Sequence, residues 1–208
     1  MKTRIKMCGL TREEDVDAAI ESGADAIGFV FYPPSPRFVS PQKAAQLAKR
    51  IPPFVDVVGL FVNESPELVL ATCEQLPINI LQFHGDESTD YCRQFDRPYL
   101  RAARVRPGLD LVEFGRSYSD ARGLLLDAFV DGFGGGGHVF DWKLIPPDLP
   151  GFLVLSGGLT EANVGEAIAR VRPVAVDVSS GIEVSKGIKD HSKIAAFVAA
   201  VRKADESI

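Results

Sequence analysis

The chain has 208 residues, 46% hydrophobic and 25% charged, with a net charge of −5, the balance of an ordinary globular protein able to bury a substantial core. No run of Lys and Arg stands out, so nucleic acid is not an expected partner, and no apolar run reaches the roughly 18 residues of a membrane span. The three cysteines, Cys8, Cys73 and Cys92, are widely spaced and form no CxxC pair or zinc-type cluster, so neither a disulfide scaffold nor a metal site is expected.

Short apolar runs alternate with amphipathic stretches along the whole chain. RIKMCGL (4–10) reads as a strand. TREEDVDAAIESG follows as a helix, with Thr11 at its N-cap and Glu14 completing a capping box. AIGFVF (26–31) is the second strand, and a proline-rich loop leads to SPQKAAQLAKRI, where Ser40 caps and Pro41 takes the first helical position. VDVVGLFV then precedes SPELVLATCEQL, again Ser before Pro, and INILQFHG precedes a helix through STDYCRQF. PYLRAARV leads to LDLVEFGRSYS, and GLLLDAFV leads through a glycine loop to FDWKLIP, at most a short helix. GFLVLSGGL is followed by TEANVGEAIARV, and PVAVDVSSG by a last helix through DHSKIAAFVAAVRKA. Strands alternating with helices imply a parallel sheet. Eight such units imply closure into a single (β/α)₈ barrel domain over residues 1–208, near the lower size limit of that fold. A doubly wound open sheet is the alternative architecture.

In such a barrel, chemistry sits where strands end and βα loops begin. Cys8, Arg37, His84, Asp127, Gly157, Gly158, Asp177 and Ser179, Ser180 and Gly181 all fall at or just beyond a strand's C-terminal end. Two glycine-rich turns, LSGGL after the seventh strand and DVSSGIE after the eighth, lie where these barrels frequently hold a phosphate. Glycines let backbone N–H groups approach an anion, and serine hydroxyls add donors.

Asp127 stands in an otherwise apolar strand, on the same side as Leu125. It is either a catalytic carboxyl or half of a structural ion pair. Asp177 reads more as an orienting residue for the phosphate loop. An ordinary Cys thiol, of pKa about 8.5, is only a few per cent thiolate at pH 7. Cys8 is therefore either a packed hydrophobe or a nucleophile or base, with Lys6 two residues earlier able to share its inward face. His84 is either functional or satisfied by a loop carbonyl. Arg37 lies in YPPSPRFVS, a proline-stiffened loop that can deliver a guanidinium fork to a carboxylate. The loop VDGFGGGGHVFDW is long for a βα connection and suited to closing over a substrate.

At these residues the sequence resembles the phosphoribosylanthranilate isomerases of tryptophan biosynthesis. The likeness runs through KMCGLT, GADAIGFVFYPPSPRFVS, VGLFVN, LQFHGDE, LLLDA, the glycine loop into FDW, LSGGLTEANV and DVSSGIE…KGIKD, and so spans the chain. One departure is the glycine loop at 132–138, which reads GGGGH where the family often has GGTG with a basic residue beyond, and leaves the role of His138 open. The resemblance implies an Amadori rearrangement of a phosphosugar substrate, with Asp127 as general acid, Cys8 as general base and Arg37 on the anthranilate carboxylate. It implies two glycine loops on the phosphate and no redox cofactor or metal. Rivals are another phosphosugar isomerase or epimerase on this barrel and a non-catalytic phosphosugar-binding protein. An epimerase of the ribulose-phosphate type wants several histidine and acidic ligands at strand ends, where only His84 stands; a mere binder has no reason to keep both Cys8 and Asp127. The N-terminal residues lack the apolar stretch of a secretion signal, so a cytoplasmic location is expected. Monomer and homodimer remain equally open.

Overall fold

The computed structural model describes residues 2–129 and 139–207. Eight parallel strands close into a barrel in chain order: β1 (Arg4–Cys8), β2 (Ala26–Val30), β3 (Asp56–Phe61), β4 (Ile80–Phe83), β5 (Tyr99–Val105), β6 (Gly123–Ala128), β7 (Leu153–Leu155) and β8 (Ala175–Val178). At the seam β1 pairs with β2 on one side and β8 on the other, which sets Lys6 opposite both Ala26 and Asp177. The intervening helices are α1 (Glu13–Glu21), α2 (Pro41–Ala48), α3 (Pro66–Gln75), α4 (Thr89–Arg93), α5 (Leu111–Ser117), α6 (Val164–Val171) and α7 (His191–Asp205). Between β6 and β7 the described residues contain only a 3₁₀ turn, Trp142–Leu144. The expected closing loop and His138 lie outside the described residues.

Local chemistry explains most helix starts. Ser40 and Ser65 each accept a bond from the backbone N–H three residues on, with proline at the first helical turn. Ser88, Asp110 and Asp190 cap α4, α5 and α7 in the same way. The capping box expected at Thr11 does not form. Its hydroxyl donates instead to the Gly187 carbonyl at 2.6 Å, so α1 begins at Glu13 with Arg12 in the uncapped N-cap position. Three acids in the first turn, Glu13, Glu14 and Asp15, complement the positive end of the helix instead. A second departure is a small antiparallel pair, β9 (Glu183–Ser185) and β10 (Ile188–Lys189), between β8 and α7. Strands of three and two residues are too short to show a period.

Alternation divides the strands between two environments. Ile5 and Met7 of β1 join the large cluster under the helices, as do Ile27, Phe29, Phe61, Leu81 and Phe83. Leu124 and Leu126 of β6 likewise face outward into a second cluster with Leu111 and Val105. The alternate positions fill the lumen: Leu100, Ala102, Leu125 and Val154 make one layer, and Cys8, Val30, Leu60 and Val62 another. A cavity of about 430 Å³ opens at the N-terminal end of the strands, lined by Arg4, Asp56, Arg122 and Phe152 among others. It lies at the end opposite the residues that sequence reasoning selects.

Candidate active site

Cys8 and Asp127 both stand inside the barrel near the C-terminal ends of their strands, and both are buried. His84 follows β4 directly and is 5% exposed. Its Nε2 lies 3.1 Å from Asp127 Oδ2, while its Nδ1 lies 2.9 Å from the side-chain nitrogen of Gln82. The other Asp127 oxygen accepts the Ala128 N–H at 2.8 Å. His84 is thus neither a surface group nor bonded to a loop carbonyl. It is the middle member of a buried row.

The loop carrying His84 is held from below by Arg101. Its Nη1 donates to the Phe83 carbonyl and its Nη2 to the Gly85 carbonyl, both at 3.0 Å. The guanidinium packs on the rings of Phe114 and Tyr118 and lies 3.5 Å from Glu87. Glu87 in turn accepts the N–H groups of Gly85 and Asn63. Sequence reasoning passed over Gln82, Arg101 and Glu87. A period-2 count from His84 reaches Gln82, and an arginine inside the apolar run YLRAARV was the available signal for Arg101.

A second polar assembly surrounds Cys8. Lys6 and Asp177 form an ion pair of 2.7 Å with side chains only 5% and 6% exposed. Burial opposes the Lys6 ammonium, but Asp177 and Cys8 outweigh it and its pKa lies above the ordinary value. Burial likewise pushes the Cys8 thiol up, against the pull of Lys6 and Lys189, with Asp177 adding to the rise. Arg37 is buried and spends Nε and Nη2 on the two oxygens of Glu183, each at 2.8 Å. Among the described residues no partner takes its Nη1. Lys189 bonds Glu183 at 2.9 Å, the Cys8 carbonyl at 2.8 Å and the Ser179 carbonyl at 3.1 Å. Burial lowers its pKa and Glu183 offsets that only in part. Glu183 and Lys189 were missed because SGIEVSKGIKD reads as a charged turn.

The two glycine turns meet. A Cβ on Gly181 would stand 1.9 Å from the Leu159 carbonyl oxygen, so only glycine fits against the β7 loop there. Gly157 and Gly158 have φ of +87° and +62°, left-handed backbone that an L side chain strains. Asn163 pins that turn by donating to the Gly158 carbonyl at 3.0 Å and accepting the Thr160 N–H at 2.8 Å. Among the described residues no acceptor takes the backbone N–H of Gly157, Gly158, Ser180 or Gly181. Such a cluster of free N–H groups has the donor arrangement that can receive an anion. The Ser179 hydroxyl is already committed, donating to the Cys8 carbonyl at 3.0 Å.

Known proteins point the same way as this geometry. The family described as N-(5'phosphoribosyl)anthranilate (PRA) isomerase matches residues 5–200. An N-(5'-phosphoribosyl)anthranilate isomerase of Dechloromonas aromatica (strain RCB) is 82% identical over 208 residues, 100% of both chains. One from Leptothrix cholodnii is 62% identical over 98% of this chain and 93% of its own. Among solved structures, the phosphoribosyl anthranilate isomerase of Thermotoga maritima superposes with a TM-score of 0.90 at 44% identity, covering 97% of this chain and 99% of its own. A crystal structure of such an isomerase in complex with reduced 1-(o-carboxyphenylamino)-1-deoxyribulose 5-phosphate gives a TM-score of 0.87 at 42% identity, covering 97% and 99%.

The charge network around Glu183 makes a pH-dependent prediction. Burial works against the Glu183 carboxylate, yet Arg37 and Lys189 hold its pKa below the ordinary range. A depressed carboxyl contributes stability that is complete above its unfolded pKa, about 4.3, and is lost as pH falls through the lower folded value. At pH 7, Glu183→Gln should cost about 3–5 kcal/mol, because it leaves buried cations without their counter-charge. Denaturant unfolding from pH 7 to pH 3 should show this difference shrinking below about pH 4.3. A gap of constant size at every pH would mean that Glu183 acts by shape and not by charge.

Proposed function

The chain belongs to the N-(5'-phosphoribosyl)anthranilate isomerase family, whose reaction in tryptophan biosynthesis it carries out, and we propose that Cys8 and Asp127 are the base and acid of that reaction. The observation that carries the assignment is their common contact with the glycine loops. Ser179 bonds the Cys8 carbonyl on one side. On the other, a Cβ on Gly157 would come within 3.0 Å of Asp127 Oδ1. A sugar phosphate anchored on those loops therefore lies between the thiol and the carboxyl.

Asp127 protonates the furanose ring oxygen. The bond from that oxygen to C1′ breaks, its electron pair stays on oxygen, and the nitrogen lone pair closes a C1′–N double bond. Cys8 removes the proton from C2′, and the freed pair gives an enolamine. Loss of the O2′ proton and protonation of C1′ complete the ketone. Lys6 and Lys189 both favour the thiolate at the moment it is needed. The backbone N–H groups of Gly157, Gly158, Ser180 and Gly181 hold the phosphate. Arg37, anchored through Nε and Nη2 on Glu183, offers Nη1 to the anthranilate carboxylate. Asp177 acts through Lys6, and His84 acts through Asp127.

Three measurements test these roles. Gly158→Val should raise KM strongly, beyond what the strain of a side chain on its left-handed backbone costs in stability, and inorganic phosphate should compete with substrate in the native enzyme but far less in the variant. An unaltered phosphate inhibition constant would move the anion elsewhere.

Arg37→Lys should bind substrate more weakly by roughly 1.5–3 kcal/mol, the range of a hydrogen bond to a charged group, because an ammonium cannot span Glu183 and a carboxylate as a guanidinium does. The loss should largely vanish for an analogue lacking the carboxylate. Equal losses for both compounds would reduce Arg37 to a support for its loop.

Cys8→Ser should lower turnover by about 10²–10⁴-fold, as removal of a general base does, while product analogues still bind. Asp127→Asn should do comparable damage, since an amide cannot supply the proton that opens the ring. The pH profile of kcat/KM should lose one limb in each variant. Near-normal turnover in Cys8→Ser would return this cysteine to the core.

A further inference from the structure

We propose that Gln82 is the positioning residue that sets how many protons the His84–Asp127 pair carries, by turning its side-chain amide between two orientations. The inference rests on the reading of Asp127 as general acid. Gln82 is fully buried in the barrel, on β4 two residues before His84. Its side-chain nitrogen faces His84 Nδ1 at 2.9 Å. An amide nitrogen only donates, so Nδ1 accepts and the neutral ring carries its hydrogen on Nε2. That hydrogen goes to Asp127 Oδ2 at 3.1 Å, while the Ala128 N–H serves Oδ1. With both oxygens accepting, Asp127 has the bonding of a carboxylate. The pair holds one proton.

A general acid needs one more. Adding it gives either a carboxylic acid facing Nε2 or an imidazolium facing a carboxylate, and in both forms Nδ1 carries a hydrogen. That hydrogen would meet the Gln82 NH₂ donor to donor. A half-turn of the amide replaces the nitrogen by Oε1, and Oε1 is now a buried acceptor with no partner among the described residues. The orphaned oxygen has a use only in the second orientation. Amide nitrogen toward Nδ1 is the one-proton state, and amide oxygen toward Nδ1 is the two-proton state that can act as acid. In the reaction one proton leaves Asp127 for the ring oxygen, whose bond to C1′ breaks with its electrons, and the other stays on the imidazole.

The charged groups around the pair are otherwise engaged. Arg101 on β5 lies against Glu87, and Arg104 on the same strand pairs with Asp86. Arg104 and Arg106 both pack over the Phe129 ring that follows β6. Across the mouth, Lys6 is paired with Asp177 beside Cys8, and Lys189 with Glu183. The Gln82 amide is the neutral group that touches the ring on its free side.

The test compares pH profiles of kcat/KM for the native enzyme, Gln82→Glu and Gln82→Met. A carboxylate at position 82 always accepts from Nδ1, so the basic limb should move up by at least about one pH unit, tenfold in proton affinity. Methionine offers neither a donor nor a good acceptor, so both states lose their partner, and the limb should stay near its native position while kcat/KM falls. An unshifted limb in Gln82→Glu, or a Gln82→Met limb displaced as far as that of Gln82→Glu, would overturn the proposal, because a merely structural role treats both substitutions alike. Nitrogen-15 NMR of histidine-labelled native protein needs no substitution. The Nε2–H form of His84 should dominate above the basic limb and a protonated Nδ1 should grow in with it; Nδ1–H at every pH would also overturn the proposal. Asp127→Asn separates the two readings. Full activity there sinks the general-acid assignment, whereas its loss beside an unshifted Gln82→Glu sinks only the role of Gln82.

Discussion

The barrel closes on a buried ion pair. Where the first and last strands meet, Lys6 and Asp177 stand opposite each other in the ladder and bond at 2.7 Å. A pair this buried contributes little net stability, since desolvation consumes the Coulomb gain. Its force is on register. A slip of one residue would turn Lys6 outward into the apolar layer of Ile5 and Met7 and bring those side chains into the lumen. The register so fixed carries Cys8 to the mouth and brings Ser179 within reach of its carbonyl. One seam thus aligns the thiol with the turn after β8.

The same arc accumulates charge. Lys6, Arg37 and Lys189 are buried against two carboxylates, Asp177 and Glu183. With a neutral thiol the assembly carries one uncompensated positive charge in a low-dielectric surround. An anion entering the mouth meets that charge with little screening. The substrate proposed here brings both a phosphate and a carboxylate. The excess also bears on Cys8, whose thiol burial pushes up while Lys6 and Lys189 pull it down. What the site does to the thiol is therefore a balance of two large opposing effects, and a substrate that completes desolvation or adds charge alters it.

Much of this was legible in the sequence. Period-2 alternation sets Lys6 on the face of Cys8, and Asp127 with Leu125 apart from Leu124 and Leu126. Ser-Pro pairs located the starts of α2 and α3 because capping is local chemistry. What failed was whatever depended on distant partners. Thr11 looks like a cap until its hydroxyl meets Gly187, 176 residues away. Arg37 looks free until it meets Glu183, 146 residues away. Glu183 and Lys189 lie in a segment whose composition reads as solvated, yet are 8% and 2% exposed. A charge buried in such a turn has no compositional signature, unlike Arg101 or Asp127, which stand out against apolar strands.

Both arcs of the mouth solve one problem in one way. In a parallel barrel the last carbonyls of a strand run past the end of the ladder and need donors from elsewhere. On the acid side, Arg101 supplies them, one fork spanning the Phe83 and Gly85 carbonyls on either side of His84. On the base side, Lys189 supplies them to the carbonyls of Cys8 and Ser179. The choice of cation follows the geometry. Arg101 must reach two acceptors flanking one residue of a single loop, which suits a planar fork stacked on Phe114 and Tyr118. Lys189 must gather acceptors from the end of β1, the turn after β8 and a carboxylate, which suits a single ammonium with three rotatable hydrogens. Each cation immobilises the backbone directly beside a proposed proton-transfer group without touching that group's hydrogen-bonding atoms. The side chains of Cys8, His84 and Asp127 therefore stay available for chemistry on a backbone that is already fixed, and that separation lets buried charge order the site without consuming it.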